Sequence, residues 1–302
     1  MKILVTGGTT FVSKSIAEYL VNKNNEIYVL NRGTRQQVEG VHLIRADRSS
    51  LENQLSNIEF DVIIDVNAYK EKDITNLLQS GVKFSEYIFI SSGAVYPEYG
   101  IQPFREIGEI AENYFWGNYG KNKIAAERVL ENIKQRTYIL RPCYLYGPYN
   151  NIYRESFVFD CAMNRRKFYI PGNGSMKLQF FYVSDICRFI EILLKDRPEQ
   201  RVFNIGNTQR ISVKEWVDLC YQIVGETVEY VQVSGSVPQK NYFPFPKFEY
   251  ELDVSRLSEW IKNTTDIYQG LQQSYEWYRE NQSEVRKKNY IEYIDKEWKH
   301  CG

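Results

Sequence analysis

Histidine is nearly absent from this 302-residue chain, which has only His42 and His300. Without a cluster of imidazoles, neither a His-centred nucleophilic triad nor a His-rich metal site is expected, and no metal is assigned. The five cysteines (Cys143, Cys161, Cys187, Cys220 and Cys301) are odd in number, far apart and without a CxxC pair. They read as reduced thiols packed in a core, as in a cytoplasmic protein. An excess of one charge is also missing, since Lys+Arg and Asp+Glu both number 38. That balance lacks the basic stripe of a nucleic-acid binder. No apolar run reaches membrane-spanning length, and an apolar segment beginning at Lys2 leaves no room for a signal peptide. The expectation is a cytoplasmic protein with neither a nucleic-acid nor a membrane partner. Its chemistry has to rest on Tyr, Lys, Ser and carboxylates.

What is present is concentrated at the start. Ile3, Leu4 and Val5 form a short apolar run, the pattern of a strand buried on both faces. Thr6-Gly7-Gly8-Thr9 predicts a tight turn, and from Thr10 a helical period brings Phe11, Ile16, Leu20 and Val21 onto one stripe. A strand, a glycine turn and a helix together aim backbone N–H groups and a helix dipole at a pyrophosphate. The spacing Gly7-x-x-Thr10-x-x-Ser13 is that of a Gly-x-x-Gly-x-x-Gly dinucleotide loop with two glycines replaced. Gly7, Thr9 and Thr10 still offer backbone to a phosphate, and Ser13 is small enough for helix–strand packing.

Further strands are expected at Ile27–Leu30, Val41–Ile44, Asp61–Ile64, Tyr87–Ile90 and Thr137–Leu140, alternating with helical stretches. One long helix is expected from near Phe115 to Ile133. Beyond Tyr149 the pattern predicts helices over Phe157–Phe168, Asp185–Leu194, Val213–Val224 (capped by Ser212), Ser255–Ile261 and Ile267–Asn281. Strands are expected at Gln179–Val183 and Val202–Ile205. The predicted fold class is α/β: a doubly wound parallel sheet of Rossmann type with a smaller C-terminal α/β substrate-binding unit. The dinucleotide-binding domain is placed at 1–165, with segments of about 179–215 returning to it, and the interleaved substrate unit at 166–302.

The tip after the second strand, Asn31-Arg32-Gly33-Thr34-Arg35, lacks the acid that would hold a ribose 2′-OH and repel a 2′-phosphate. Asn31, Arg32 and Arg35 there favour NADP over NAD, unless Arg32 stacks on adenine or points to water. Asp47 follows the third strand and either meets the adenine amine or lies exposed in a loop. Tyr119 and Lys123 stand at i and i+4 on one helix face. An ammonium there would lower the phenol pKa, making tyrosinate an accessible general base, and would hold the nicotinamide ribose. Ser91-Ser92 ends the fifth strand, where open parallel sheets bind ligands, and offers a hydroxyl to a substrate oxygen.

With these residues the chain resembles the extended short-chain dehydrogenase/reductase family, in its nucleotide-sugar epimerase/dehydratase group. Leu140-Arg-Pro-Cys-Tyr-Leu-Tyr-Gly-Pro148, Phe181-Tyr-Val-Ser-Asp185, Phe203-Asn-Ile-Gly206 and the helix around Gly270-Leu271 and Glu276-Trp-Tyr278 carry the likeness further. The resemblance implies that Ser92, rather than Ser91, is the catalytic hydroxyl, and that Phe11, Val12 and Pro142 contact the cofactor. It also implies a small-molecule substrate, a nucleotide sugar first of all, and a homodimer built on the helices near Asp73–Leu78 and Phe115–Ile133.

Departures from the family pattern narrow the activity. The loop Gly7-Gly-Thr-Thr-Phe-Val-Ser13 is similar to an atypical branch that includes the chloroplast stem-loop-binding proteins. Gly93-Ala94 stand where the family's dehydratases carry Asp-Glu, so dehydration is not expected. Leu178 replaces a substrate-binding arginine, and Ser236-Val-Pro-Gln-Lys240 lacks another. Lys177, Lys240, Arg154 and Arg210 nearby either compensate for these losses or, as the first reading, are solvated surface charges. The leading expectation is a sugar nucleotide 4-epimerase, followed by an NADP-linked reductase. The alternative is a non-catalytic protein that senses dinucleotides or binds RNA.

Overall fold

β1 (Lys2–Thr6) runs through the centre of the molecule, with Ile3, Leu4 and Val5 fully buried. The computed structural model describes residues 1–235 and 237–298, so Ser236, His300 and Cys301 lie outside the described residues. A turn leads from β1 into α1 (Phe11–Val21), β2 (Glu26–Asn31) and β3 (Val41–Arg45). Next come β4 (Glu59–Asp65), α2 (Glu71–Gln79), β5 (Lys83–Ile90), α3 (Asn118–Leu130) and β6 (Arg136–Pro142). β7 (Tyr144–Tyr146), α4 (Glu155–Met163), β8 (Phe168–Pro171), β9 (Lys177–Leu178), β10 (Phe180–Tyr182), α5 (Val183–Asp196) and β11 (Val202–Ile205) follow. The chain continues through β12 (Ile211–Ser212), α6 (Val213–Val224), β13 (Tyr230–Val233), α7 (Ser255–Trp260), α8 (Ile267–Glu280) and α9 (Tyr290–Trp298).

The seven-stranded sheet has the order β11-β6-β5-β4-β1-β2-β3, with every neighbouring pair parallel. The chain leaves β1 toward β2 and β3, then returns to the other side of β1 through β4. The carboxyl ends of β1 and β4 therefore bound the crevice where such sheets take ligands. Alternation along β1 sends Ile3 and Val5 to one face and Leu4 to the other. Ile16 and Leu20 of α1, with Ile186 and Phe189 of α5, cover the first face. Ile74 and Leu77 of α2, with Ala126 and Leu130 of α3, cover the second.

The remaining strands pair two by two: β7 with β10 and β8 with β13 in parallel, β9 with β12 antiparallel. Aromatic residues fill this part, with Phe245 against Trp216 at 5.3 Å and against Tyr144 at 4.6 Å between centroids. α6 begins where its sequence signal placed it. Ser212 Oγ accepts from Glu215 N at 3.1 Å and Glu215 Oε2 accepts from Ser212 N at 2.8 Å, closing a capping box. Cys143, Cys161, Cys187 and Cys220 are free and buried, and burial pushes each thiol above its ordinary pKa. No helix among the described residues is long and apolar enough to cross a membrane.

Two expected helices are shorter than the sequence pattern suggested. α3 starts at Asn118 rather than near Phe115, because Gly117 sits at φ +47° and ends the preceding turn. α4 stops at Met163, where Arg165 at φ +50° reverses the chain and frees Phe168 to begin β8.

Candidate active site

The turn after β1 closes only because it carries glycine. Gly7 and Gly8 have φ of +94° and +86°, and a Cβ on Gly8 would stand 2.5 Å from Val29 Cγ1. Gly7 N donates to Leu30 O at 2.9 Å, which pins the turn to β2. Half-buried Thr9 and Thr10 lead into α1, with Thr10 extended as its N-cap and making no side-chain capping bond. Ser13 Oγ instead donates back to Thr10 O at 2.9 Å. No acidic residue lies in the first turn, so uncapped N–H groups and the positive end of the dipole stay free for an anion. Phe11 adopts φ +37°, an uncommon conformation for a side chain of its size, at the edge of this cradle. Val12 and Phe11 are both buried. Gly8→Ala is expected to destabilise the fold by more than about 1 kcal/mol and to weaken dinucleotide binding. A thermal melt with a dinucleotide titration checks this, and a variant as stable as the parent would remove the steric argument.

The β2 tip differs in detail from its sequence reading. Asn31 is committed to the loop: its Nδ2 donates to Gly7 O at 2.7 Å and Gln37 Oε1 at 2.9 Å, and its Oδ1 accepts from Gly33 N at 2.8 Å. Arg35 pairs with Glu284 at 2.7 Å, so it is not free to grip a phosphate. Arg32 remains exposed, and its charge reaches Asp47. Asp47 itself caps the short turn after β3, accepting from Ser49 N at 2.8 Å and Ser49 Oγ at 2.6 Å. These bonds, more than Arg32, hold its carboxyl below the usual range.

Ser92 lies past the end of β5 and caps a short turn by accepting from Ala94 N at 3.1 Å. The preceding Ser91 points the other way and donates to Glu127. Gly120 lets α3 settle on this turn, since a Cβ there would stand 2.3 Å from Ala94 O. That close approach brings Tyr119 near Ser92, whose hydroxyl acts to lower the phenol pKa. Desolvation raises the Tyr119 pKa, while Ser92 and the charge of Arg154 oppose the rise. The residue is nonetheless 37% exposed, so it is open to a ligand from solvent.

Lys123 is buried, and its Nζ donates to Ala68 O at 2.8 Å and Ile90 O at 2.7 Å. Burial lowers its pKa to about 8. Sharing a helix face with Tyr119 does not turn its ammonium onto the phenol, because these two carbonyls draw it to the sheet edge. The cation that acts on Tyr119 is Arg154. Pro142, buried at the end of β6, completes the same edge.

Behind the site lies a polar network that the sequence reading missed. Glu127, one turn after Lys123, takes two guanidinium bonds from Arg141, at 2.7 and 3.1 Å. Arg141 also donates to Tyr96 Oη at 2.9 Å, and Tyr96 donates to Asn204 Oδ1 at 2.7 Å. The i+4 spacing of Glu127 from Lys123 was the only available signal.

The four basic residues expected at the surface divide. Lys240 is exposed, Lys177 lies 3.6 Å from Glu215, and Arg210 pairs with Glu249 and Glu251 at 2.8 and 2.9 Å. Arg154 departs from that expectation: it is half-buried, with its guanidinium 5.4 Å from the centroid of Tyr144.

The sheet order, the glycine turn and the Ser92–Tyr119 pair define an α/β protein of Rossmann type with a candidate catalytic recess at its switch point. A sequence profile described as the NAD dependent epimerase/dehydratase family matches residues 74–206. Over that stretch, less than half of its length, the chain resembles this family. It is 25% identical over 299 residues to the chloroplast stem-loop binding protein of 41 kDa b of Arabidopsis thaliana, covering 91% of this chain and 78% of that one. It is also 25% identical to the dTDP-D-glucose 4,6-dehydratase of Mus musculus, covering 72% of this chain and 61% of the relative. Among solved structures, a UDP-glucose 4-epimerase from Thermotoga maritima with UDP-glucose superposes with a TM-score of 0.75 at 19% identity, covering 93% of this chain and all of that one. A UDP-glucuronic acid 4-epimerase from Bacillus cereus, in complex with UDP-glucuronic acid and NAD, gives 0.73 at 20% identity, covering 93% and 99%.

Proposed function

We propose that this protein is an NAD(P)-dependent enzyme that epimerises a secondary carbinol of a nucleotide sugar. The observation that carries the reading is the close seating of α3 on the Ser92 turn, where Gly120 meets Ala94 O and brings Tyr119 near Ser92, together with a glycine turn whose cradle a Cβ would fill. That cradle fits a dinucleotide. Gly7, Thr9, Thr10, Phe11 and Val12 would hold the pyrophosphate side, and Asn31, Arg32 and Asp47 would surround the adenosine. Lys123 and Pro142 would flank the nicotinamide ribose. Bound there, the dinucleotide supplies a reversible hydride acceptor beside the sugar. Tyr119 takes the carbinol proton and returns it, Ser92 holds the substrate oxygen, and Lys123 keeps the site in register through Ala68 and Ile90.

Dehydration fits poorly. Gly93 and Ala94 are buried, and a Cβ on Gly93 would lie 3.2 Å from both Leu252 Cδ1 and Tyr250 Cε2. A side chain at the first of these positions would press on Leu252 and Tyr250. For the choice of dinucleotide, a tip without an acid and an exposed Arg32 support NADP. The pairing of Arg35 with Glu284 leaves that preference on one guanidinium. A second reading, RNA binding, draws support from the likeness to the chloroplast stem-loop binding protein.

The test is mass spectrometry of what the purified protein releases on denaturation, followed by NADH and NADPH titrations and a UDP-sugar interconversion assay. Bound or titratable dinucleotide with sugar interconversion is the expected result. A protein that binds neither dinucleotide yet retains an RNA hairpin would replace this reading by the second.

A further inference from the structure

Arg154 stands apart from most arginines of this protein. Arg35, Arg48, Arg141, Arg166 and Arg210 each meet a carboxylate within 3 Å. Among the described residues no carboxylate forms an ion pair with Arg154, whose Nη1 donates to Leu145 O at 3.3 Å. The adjacent Glu155 feels the Arg154 charge but forms no ion pair with it. Its Oε1 accepts from Asn150 Nδ2 at 2.8 Å, its Oε2 has no partner, and burial raises its carboxyl pKa toward the neutral form.

The Arg154 guanidinium rests on Tyr144, a residue only 7% exposed whose hydroxyl is buried without a hydrogen-bond partner. Around the Tyr144 ring stand Trp116 at 6.1 Å, Tyr250 at 5.5 Å and Phe245 at 4.6 Å. Trp116 also leads straight into the recess, since Tyr119 N donates to Trp116 O at 3.0 Å. An orphaned hydroxyl and a half-buried cation without a counter-ion are each costly. Here both lie in one aromatic enclosure beside the proton-transfer phenol. A ligand oxyanion would satisfy them together, and a planar carboxylate matches the guanidinium fork.

We propose that Arg154 and Tyr144 form an anion subsite for a carboxylate next to the reacting carbinol, so that the preferred glycosyl group is a hexuronic acid rather than a neutral hexose. The inference rests on the epimerase reading above and narrows its substrate. The nucleotide diphosphate is the other oxyanion that suits the same donors. The carboxylate is favoured because Tyr144 packs on Trp116, whose carbonyl accepts from Tyr119 N, so the subsite adjoins the phenol where the reacting carbon must lie.

The experiment measures 4-epimerisation of UDP-glucuronate and UDP-glucose by the full chain and by Arg154→Met, Arg154→Lys and Tyr144→Phe, with UDP as competitor. The parent is expected to favour UDP-glucuronate in kcat/KM by at least about tenfold, as charge-assisted bonds allow. Arg154→Met should lose at least about ten times more on UDP-glucuronate than on UDP-glucose, with Arg154→Lys in between and Tyr144→Phe milder. UDP inhibition should weaken far less than acidic-substrate turnover. Retained turnover of UDP-glucose by a variant shows that it folds. A parent that prefers UDP-glucose overturns the subsite and leaves the epimerase reading intact. Equal losses on both sugars, together with lost UDP inhibition, assign Arg154 to the diphosphate instead. Turnover of neither sugar by the parent overturns both proposals.

Discussion

Tyr119→Phe is expected to lower sugar turnover by roughly 10²–10⁴-fold, the usual contribution of a positioned acid–base group. Dinucleotide affinity should change little, because the cradle at Gly7–Val12 does not involve the phenol. Loss of the hydroxyl removes the group that Ser92 acts on, and no second phenol takes its place. Tyr69 is the nearest ring, at 5.6 Å between centroids, but it is exposed at the mouth of the recess. The raised Tyr119 pKa makes tyrosinate, the form that takes the carbinol proton, a minority form at neutral pH, so the rise of rate with pH that it causes should vanish from the profile of the variant. Initial rates on the parent's best nucleotide sugar, with a parallel dinucleotide titration, check both halves. Turnover within tenfold of the parent would remove Tyr119 from proton transfer.

Glu127→Ala is expected to cost about 3–5 kcal/mol of stability, the range for breaking a buried ion pair from one side. Arg141 and Glu127 are 5% and 0% exposed, so the guanidinium left behind keeps only Tyr96 and the Glu106 carbonyl. Ser91 loses its acceptor at the same time. Pairing the change with Arg141→Met should restore part of the loss, since the uncompensated charge is then gone. Denaturant unfolding of the single and double variants measures this. A single-variant loss below about 1 kcal/mol would mean that water reaches the pair.

The sheet was legible because its strands announce themselves locally. Ile3–Val5, Tyr87–Ile90 and Val202–Ile205 are apolar runs with polar flanks, and each lies within a strand of the sheet. Ser212 and Glu215 likewise marked the start of α6, because a capping box is a contact three residues long. β9 and β12, two residues each, are too short to show any period. The start of α3 was placed too early because Gly117, at φ +47°, keeps Phe115 and Trp116 in a separate turn before the helix.

Within the site, residue types and spacing singled out Ser92 and Tyr119, but side-chain direction stayed hidden. Lys123 shares a face with Tyr119 yet sends its ammonium to Ala68 and Ile90. Asn31 read as a missing charge and proves to be a brace between the tip and Gly7. Arg154 read as a surface charge because nothing local reports that Tyr144, ten residues earlier, turns back beneath it. Such facts depend on segments that meet only in three dimensions.

The order of strands in the sheet also governs how the chain can fold. β1 finds β2 within its own neighbourhood, but its other partner, β4, is not made until residue 59. β6 has no neighbour on its outer side before Val202 emerges. Pairings this distant in sequence must close long loops before any burial repays them, so assembly should be slow for a chain of this size. During synthesis β6 presents an open edge to other nascent chains while the region from Cys143 to Arg201 is being made. A chaperone that shields that edge would act at the step where this topology is most exposed to misassembly.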